Sequence, residues 1–306
     1  MGSEMCIRDR ILIGALILTL PVSSASGVVT PFDQALFTST SAVCVTGLVV
    51  QDTGSYWSVF GQAVILALIQ IGGLGVVTVA VSVFMLSGRK ISLMQRSTMQ
   101  ESISAPQVGG IVKLTGFILK TSLIIEMIGA ALLAPVFCND LGIAKGLWYS
   151  LFHSISAFCN AGFDLLGIKE PFSSLTFYHS NIYLNIIIML LIITGGIGFL
   201  VWGDIGTHKH RIRRYSLQSK VVLMTSAVLI VLPALYFFFF EYDHGTIHDR
   251  TIHSLFQSVT TRTAGFNTTD LAAMDESGTA IMIILMLIGG SPGSTAGGMK
   301  TATFAV

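Results

Sequence analysis

The sequence predicts an all-α polytopic membrane protein in which one helical unit recurs three times. Composition is the first observation: 52% of residues are hydrophobic, 11% are charged and the mean hydropathy is +0.77, against roughly 25% charged residues in a soluble domain. Apolar runs are the second. Residues 59–86, 111–137, 182–202 and 221–240 each reach the roughly 20 residues that cross a bilayer as a helix. A fifth run, 280–288, reaches that length only with the glycine-rich stretch behind it. Charge placement is the third. Arg89, Lys90, Arg96 and Lys113 face one acid, Glu101, and Lys209, Arg211, Arg213, Arg214 and Lys220 face Asp204. This bias marks both connections as cytoplasmic. The remaining connections are acid-rich, and a negative outer face concentrates cations at the mouth of a pore.

Taken in order, residues 1–10 are polar and read as a non-native leader, set aside from fold reasoning. The apolar run 11–20 is about half a span. The first short segment follows, from Leu36-Phe37-Thr38-Ser39 to Val45-Thr46-Gly47-Leu48. Its counterparts run from Leu151-Phe152-His153-Ser154 to Asn160-Ala161-Gly162-Phe163, and from Leu255-Phe256-Gln257-Ser258 to Thr263-Ala264-Gly265-Phe266. Each is preceded by an apolar run and followed by an acid (Asp52, Asp164, Asp270), then by another apolar run ending in paired glycines: Gly72-Gly73, Gly195-Gly196, Gly289-Gly290. The unit is therefore helix, short hydroxyl-rich segment, glycine turn, helix. Segments this short and polar do not face lipid, and irregular backbone at membrane depth needs a protein or water surround. Re-entrant half-helices entering from outside meet that requirement.

The chemistry of the three turns follows from backbone geometry. A half-helix descending from outside points its partially negative C-terminus at the membrane centre, which favours a cation there. Glycine permits backbone angles that let successive carbonyls face one axis, and a ring of carbonyls replaces the hydration shell of a monovalent ion. The hydroxyls of Thr46 and Thr263 and the amide of Asn160 either add ligands or brace the turns. The paired glycines read as packing or hinge positions. Two intramembrane charges, Glu126 and Arg262, are expensive if unpaired and read as filter braces, against each other or with separate partners.

The stretch 289–304 imitates two enzyme signatures. Gly289-Gly290-Ser291-Pro292-Gly293 fits G-x-S-x-G, but His244, His248 and His253 lie near the outer face, half a membrane from Ser291. Met299 stands between Gly298 and Lys300, which spoils a P-loop, and an apolar helix precedes it where a P-loop needs a strand. Cys6, Cys44, Cys138 and Cys159 show no metal-ligand spacing and the seven histidines form no H-E-x-x-H. Glycines 289, 290, 293, 297 and 298 with Pro292 cannot hold a regular helix, since each glycine costs about 1 kcal/mol relative to alanine and proline about 3.

The segments "TSAVCVTGL", "SISAFCNAGFDLLG" and "SVTTRTAGFNTTDL", with "IGGSPGSTAGGMKTATF", together resemble the Trk/Ktr/HKT superfamily of potassium transporters, nearest to the bacterial Ktr-type membrane subunit. The resemblance implies four helix–pore loop–helix repeats around one pore, with filter residues Val45, Thr46, Gly47, Asn160, Ala161, Gly162, Thr263, Ala264 and Gly265. It implies potassium selectivity from glycine at 47. It makes 289–301 an intramembrane gate, with Gly293, Ser294, Thr295, Gly297, Gly298 and Lys300 as its working residues. It divides the chain into repeat 1 (11–87, first helix truncated), a cytoplasmic loop (88–110), repeat 2 (111–206), a second cytoplasmic loop (207–219) and repeat 3 (220–306). The fourth repeat is absent, so the chain reads as a fragment. The implied protein is no enzyme: it is a multi-pass pore subunit of a bacterial plasma membrane that moves K+ inward, with Na+ coupling left open and no cofactor. Its implied partners are a second copy, a cytoplasmic nucleotide-binding regulatory ring and membrane lipid, with no nucleic acid. The basic connections either dock that ring or only orient the helices. A broken-helix secondary symporter and a membrane-embedded serine hydrolase are the alternative functions.

Overall fold

The computed structural model describes residues 2–75, 111–168, 170–243 and 245–305. The first unit comprises α1 (Gly2–Leu18), α2 (Phe32–Val43) and α3 (Val59–Gly73). The second comprises α4 (Ile111–Leu141), α5 (Ile143–Phe158) and α6 (Ile182–Ile197), continued by α7 (Phe199–His208). The third comprises α8 (Leu217–Tyr236), α9 (Ile247–Thr260) and α10 (Glu276–Leu287), and α11 (Thr301–Ala305) follows. Helix α1 runs through the stretch set aside as a leader, and Ile7 packs against the core. The end of the expected 59–86 span and the whole of loop 88–110 lie outside the described residues.

Helix α4, at 31 residues, is about 46 Å long at 1.5 Å per residue, longer than the ~30 Å hydrocarbon core. It and α8, extended by a π-helical turn at Phe237–Glu241, are the described helices long and apolar enough to cross a membrane. The expected span 182–202 is not one straight helix. It breaks at Gly198, where φ is 98° and ψ 146°, and α7 leaves α6 at 94°. The amide of Phe199 donates to Gly293 O at 2.8 Å, outside its own helix. That bond explains why α7 starts a new direction.

The short helices α2, α5 and α9 have 12, 16 and 14 residues. Their hydroxyl-bearing residues are buried: Ser39 and Ser41, Ser154 and Ser156, Ser258 and Thr260. One hydroxyl does the same job in every unit. Ser39 Oγ donates to Ile11 O at 2.8 Å, Ser154 Oγ to Glu126 O at 2.7 Å and Ser258 Oγ to Ile230 O at 2.7 Å. Each staples a half-helix to the helix before it. Three residues beyond the accepting carbonyl stand Gly14, Gly129 and Pro233. A Cβ on Gly14 or Gly129 would overlap the stapling serine and a leucine of the unit's second long helix, Leu68 or Leu191. Small residues thus let three helices close on one hydroxyl. Gly72 and Gly195 serve the next contact, each lying against the last carbonyl of a half-helix, Val43 O or Phe158 O.

Ser154→Ala removes one buried hydrogen bond, a loss of about 1 kcal/mol. Gly129→Val forces apart two packed helices, a loss of about 2–3 kcal/mol. The melting temperatures of the detergent-solubilised full-length protein should therefore fall in the order wild type, Ser154→Ala, Gly129→Val. Three indistinguishable melts would contradict the staple.

Candidate functional site

Each half-helix ends in an ordinary right-handed cap, Cys44, Cys159 or Thr261. The chain beyond it then turns left-handed twice, two residues apart. The φ values are 56° and 77° at Val45 and Gly47, 55° and 70° at Asn160 and Gly162, and 66° and 80° at Thr263 and Gly265. Left-handed backbone at β-branched Val45 and Thr263 is a genuine outlier. Such conformations cost on the order of 1–3 kcal/mol each and persist only where the surroundings enforce them.

The enforcing bonds recur. Thr46 N donates to Ser41 O at 2.9 Å, Ala161 N to Ser156 O at 2.8 Å and Ala264 N to Thr260 O at 3.0 Å. Ser156 and Thr260 also donate their hydroxyls to the carbonyls just past the turn, Phe163 O at 2.6 Å and Phe266 O at 2.7 Å. In the first unit Thr46 Oγ1 donates to Ser41 Oγ at 2.8 Å. Asn160, with its amide nitrogen turned inward, donates to Ala157 O and Ile192 O at 3.2 Å. Thr46 and Asn160 therefore brace their turns, while Thr263 Oγ1 is buried without a hydrogen bond among the described residues.

The three turns meet in chain order. A Cβ on Gly47 would sit 2.6 Å from Ala161 O, and one on Gly162 would sit 2.5 Å from Ala264 O and 3.1 Å from Gly265 Cα. Nothing larger than glycine fits, and the carbonyls of one turn lie against the glycine of the turn before. The acids behind the turns act as caps. Asp52 accepts from Ser55 N and Oγ, both at 2.7 Å, and from Phe172 N at 3.1 Å, while Asp164 and Asp270 accept from Leu166 N and Ala272 N at 3.0 Å.

The glycine-rich stretch is a closed loop under these turns. Gly289 N donates to Met299 O at 2.9 Å and Met299 N to Leu287 O at 3.1 Å. The break in α6 gives it a dock. The Gly195 and Gly196 carbonyls, freed from the helical ladder, accept from Thr295 N at 3.3 Å and Ser291 N at 3.0 Å. Thr295 Oγ1 also donates to Phe158 O at 2.9 Å. Gly298, at φ 71°, faces the third turn, its Cβ position 3.4 Å from Thr263 Cγ2. Lys300 Nζ donates to Ala296 O at 2.8 Å, inside the loop. Between loop residues 293–297, Phe199, residues 72–75 and the first turn at 43–45 lies a cavity of about 210 Å³.

Glu126 and Arg262 do not pair: among the described residues no ion pair joins them. Both Glu126 oxygens accept from Gln70 Nε2, at 2.9 and 3.0 Å, and Gln70 Oε1 lies 3.9 Å from Cys159 Sγ, beside Asn160. Arg262 Nη2 donates to Ser226 Oγ at 3.3 Å. The separate-partner reading is the one the geometry supports, since each charge meets a neutral side chain of another helix. Gln70 was missed in the sequence, although an amide in the apolar run 59–86 was its visible signal. Ser291 bonds Thr301 Oγ1 at 3.1 Å, not a histidine, and among the described residues no His/Cys/Asp/Glu group could hold a metal.

The sequence matches the family described as TrkH, cation transport protein, over residues 7–306. It is 43% identical over 301 residues to the "Potassium/sodium uptake protein NtpJ" of Enterococcus hirae, covering 97% of this chain and 65% of that one. It is 42% identical over 302 residues to "Ktr system potassium uptake protein B" of Bacillus subtilis, covering 97% and 66%. The chain thus spans about two thirds of the length of these relatives. In fold it resembles the potassium transporter TrkH of Vibrio parahaemolyticus, with a TM-score of 0.70 at 19% identity over 97% of this chain and 57% of that one.

A double-mutant cycle on transport by the full-length protein separates the two pairings. Glu126→Gln with Gln70→Met should be non-additive by about 0.5–3 kcal/mol, as for residues in contact, whereas Glu126→Gln with Arg262→Gln should be additive within about 0.5 kcal/mol. The reverse pattern would restore the ion pair.

Proposed function

The chain belongs to the TrkH family of cation transport proteins, and on that footing we propose that it is the pore-forming part of a potassium uptake system in the plasma membrane. K+ moves inward through a backbone-carbonyl filter made by residues 45–47, 160–162 and 263–265, and the loop 289–301 is the gate. One observation carries the reading: three half-helices end in the same pair of left-handed residues, and their glycine turns touch in chain order.

Each part has a physical task. Three helix C-termini, each worth about half a negative charge, point at one region and favour a cation. Carbonyls fixed in advance replace hydration water without reorganising as the ion arrives. Beneath them, loop residues 293–297 close the 210 Å³ cavity, and Lys300 adds a positive charge that opposes a cation at this depth. Opening requires the loop to leave the Gly195 and Gly196 carbonyls, Phe158 O and the Phe199 amide. At about 0.5–1.5 kcal/mol net per hydrogen bond, these contacts favour closure by a few kcal/mol. That is the scale on which differential binding of a ligand or partner shifts a two-state equilibrium. The Ktr names among the relatives speak of a system, which supports a further subunit as the source of that bias; a cytoplasmic nucleotide-binding regulatory ring on a homodimeric pore subunit is the form we propose for it. Sodium travels with potassium in the name of one relative and is a second candidate ion.

A symporter with a broken-helix midplane site would use the α6–α7 break as its ion site. Here the carbonyls of that break are taken by the amides of Ser291 and Thr295, which favours the gate reading.

The test is rescue of a potassium-uptake-deficient bacterium by the full-length protein, with rubidium and sodium as competitors. Gly162→Ser should abolish the preference for K+ over Na+. Removing residues 292–297 should raise rubidium influx roughly tenfold, a barrier change of about 1.4 kcal/mol. Unchanged selectivity and unchanged influx would refute filter and gate respectively.

A further inference from the structure

The turn between α7 and α8 holds a second site. Because α7 leaves α6 at 94°, it runs close to parallel with the membrane surface when α6 spans the bilayer. Its end lies in the connection that charge bias puts on the cytoplasmic side. There Thr207, His208, Lys209, His210, Arg211 and Arg214 line an open pocket of about 330 Å³. Lys209, His210, Arg211, Arg213 and Arg214 are exposed, and among the described residues no acid pairs with any of them.

The pocket is held in shape by its neighbours. Asp204 Oδ2 accepts from Ser216 N at 3.0 Å, Ser216 Oγ at 2.7 Å and Ser219 Oγ at 2.6 Å, so it clamps α7 to the start of α8. Partial burial works against its charge, but the bonds from Ser219 and Ser216 prevail and hold its carboxyl below the usual carboxylate value. Buried Tyr215 donates its hydroxyl to Lys209 O, and Lys220 Nζ donates to Arg213 O at 2.8 Å. The one acid nearby is thus engaged with backbone and hydroxyls, and its Oδ1 lies 3.9 Å from Nδ1 of His208 on the pocket wall. The C-terminal dipole of α7 contributes about half a negative charge, outweighed by the four cations of the turn.

Flanking this pocket are two exposed aliphatic side chains, Ile212 at 61% and Leu217 at 80% exposure. Basic residues interleaved with exposed apolar ones, in the turn that follows a helix lying in the interface plane, match a surface that inserts among lipid headgroups. We propose that the pocket formed by Lys209, Arg211 and Arg214 binds the phosphate of an anionic lipid headgroup from the inner leaflet, with Ile212 and Leu217 seated at the acyl boundary.

The site is mechanically close to the gate. Helix α7 is ten residues long, about 15 Å, and its first amide, Phe199 N, is bonded to Gly293 O of the loop. A lipid that fixes the far end of α7 therefore biases the loop's dock. This coupling rests on the gate assignment above, and a separate measurement reads it.

Native mass spectrometry of the full-length protein, loaded with phosphatidylglycerol or phosphatidylcholine, tests the site. Wild type should retain phosphatidylglycerol preferentially. A Lys209→Gln, Arg211→Gln, Arg214→Gln variant should lose that preference by at least roughly tenfold, since each cation near an anionic surface is worth about 1 kcal/mol. Equal retention by variant and wild type overturns the proposal. So does displacement of the lipid by inorganic phosphate, which would mark a soluble-anion site, or a variant that keeps its lipid but loses a co-purifying cytoplasmic protein. Rubidium uptake into vesicles of each lipid reads the coupling. The variant should match wild type in phosphatidylcholine and lack the change wild type shows on adding phosphatidylglycerol. Lipid loss in the variant with uptake unchanged in both vesicles would overturn the coupling and leave the site standing.

Discussion

Backbone amides and carbonyls at membrane depth have no water to fall back on, and each one left unmatched costs several kcal/mol. The three glycine turns and the glycine-rich loop, among the described residues, answer to that constraint. The three glycine turns are held by backbone bonds to Ser41, Ser156 and Thr260. The glycine-rich loop bonds itself through Gly289, Gly290 and Met299, and gives the amides of Ser291 and Thr295 to the break in α6. The break and the loop are complementary: the carbonyls that α6 loses by ending at Gly198 are those that Ser291 and Thr295 need. Neither irregularity is affordable without the other.

The staples extend the same logic to the side chains. A hydroxyl inside a half-helix needs an acceptor, and Ser39, Ser154 and Ser258 each find one on the preceding long helix. In two of the three units only a residue without a side chain beside the acceptor lets the helices approach, hence Gly14 and Gly129. This repeated contact sets the depth of each half-helix, and through it the height at which the three turns meet. The geometry of the three turns is therefore a consequence of helix packing as much as of the turn residues themselves.

Much of this was legible in the chain. The three aligned motifs located the half-helices and the glycines at 47, 162 and 265, because both follow local patterns. What the sequence concealed were contacts between distant segments. Residues 182–202 look like an unbroken span because hydropathy does not register that Phe199 N bonds a carbonyl 94 residues on. Glu126 and Arg262 invited pairing because both are charged, yet each found a neutral partner on a neighbouring helix, Gln70 and Ser226. The stapling serines stood inside the aligned motifs from the start. Only the structure gave them a purpose, since a serine in an apolar helix carries no marker for its acceptor.

We propose that the carbonyls around Gly47, Gly162 and Gly265 hold a desolvated cation, and anomalous diffraction from thallium-soaked crystals of the full-length protein would locate it. A peak bounded by the carbonyls of residues 45–47, 160–162 and 263–265, lost when potassium is added in excess, is the expected result. A peak confined to the α6–α7 break, or none near the three turns, would contradict it.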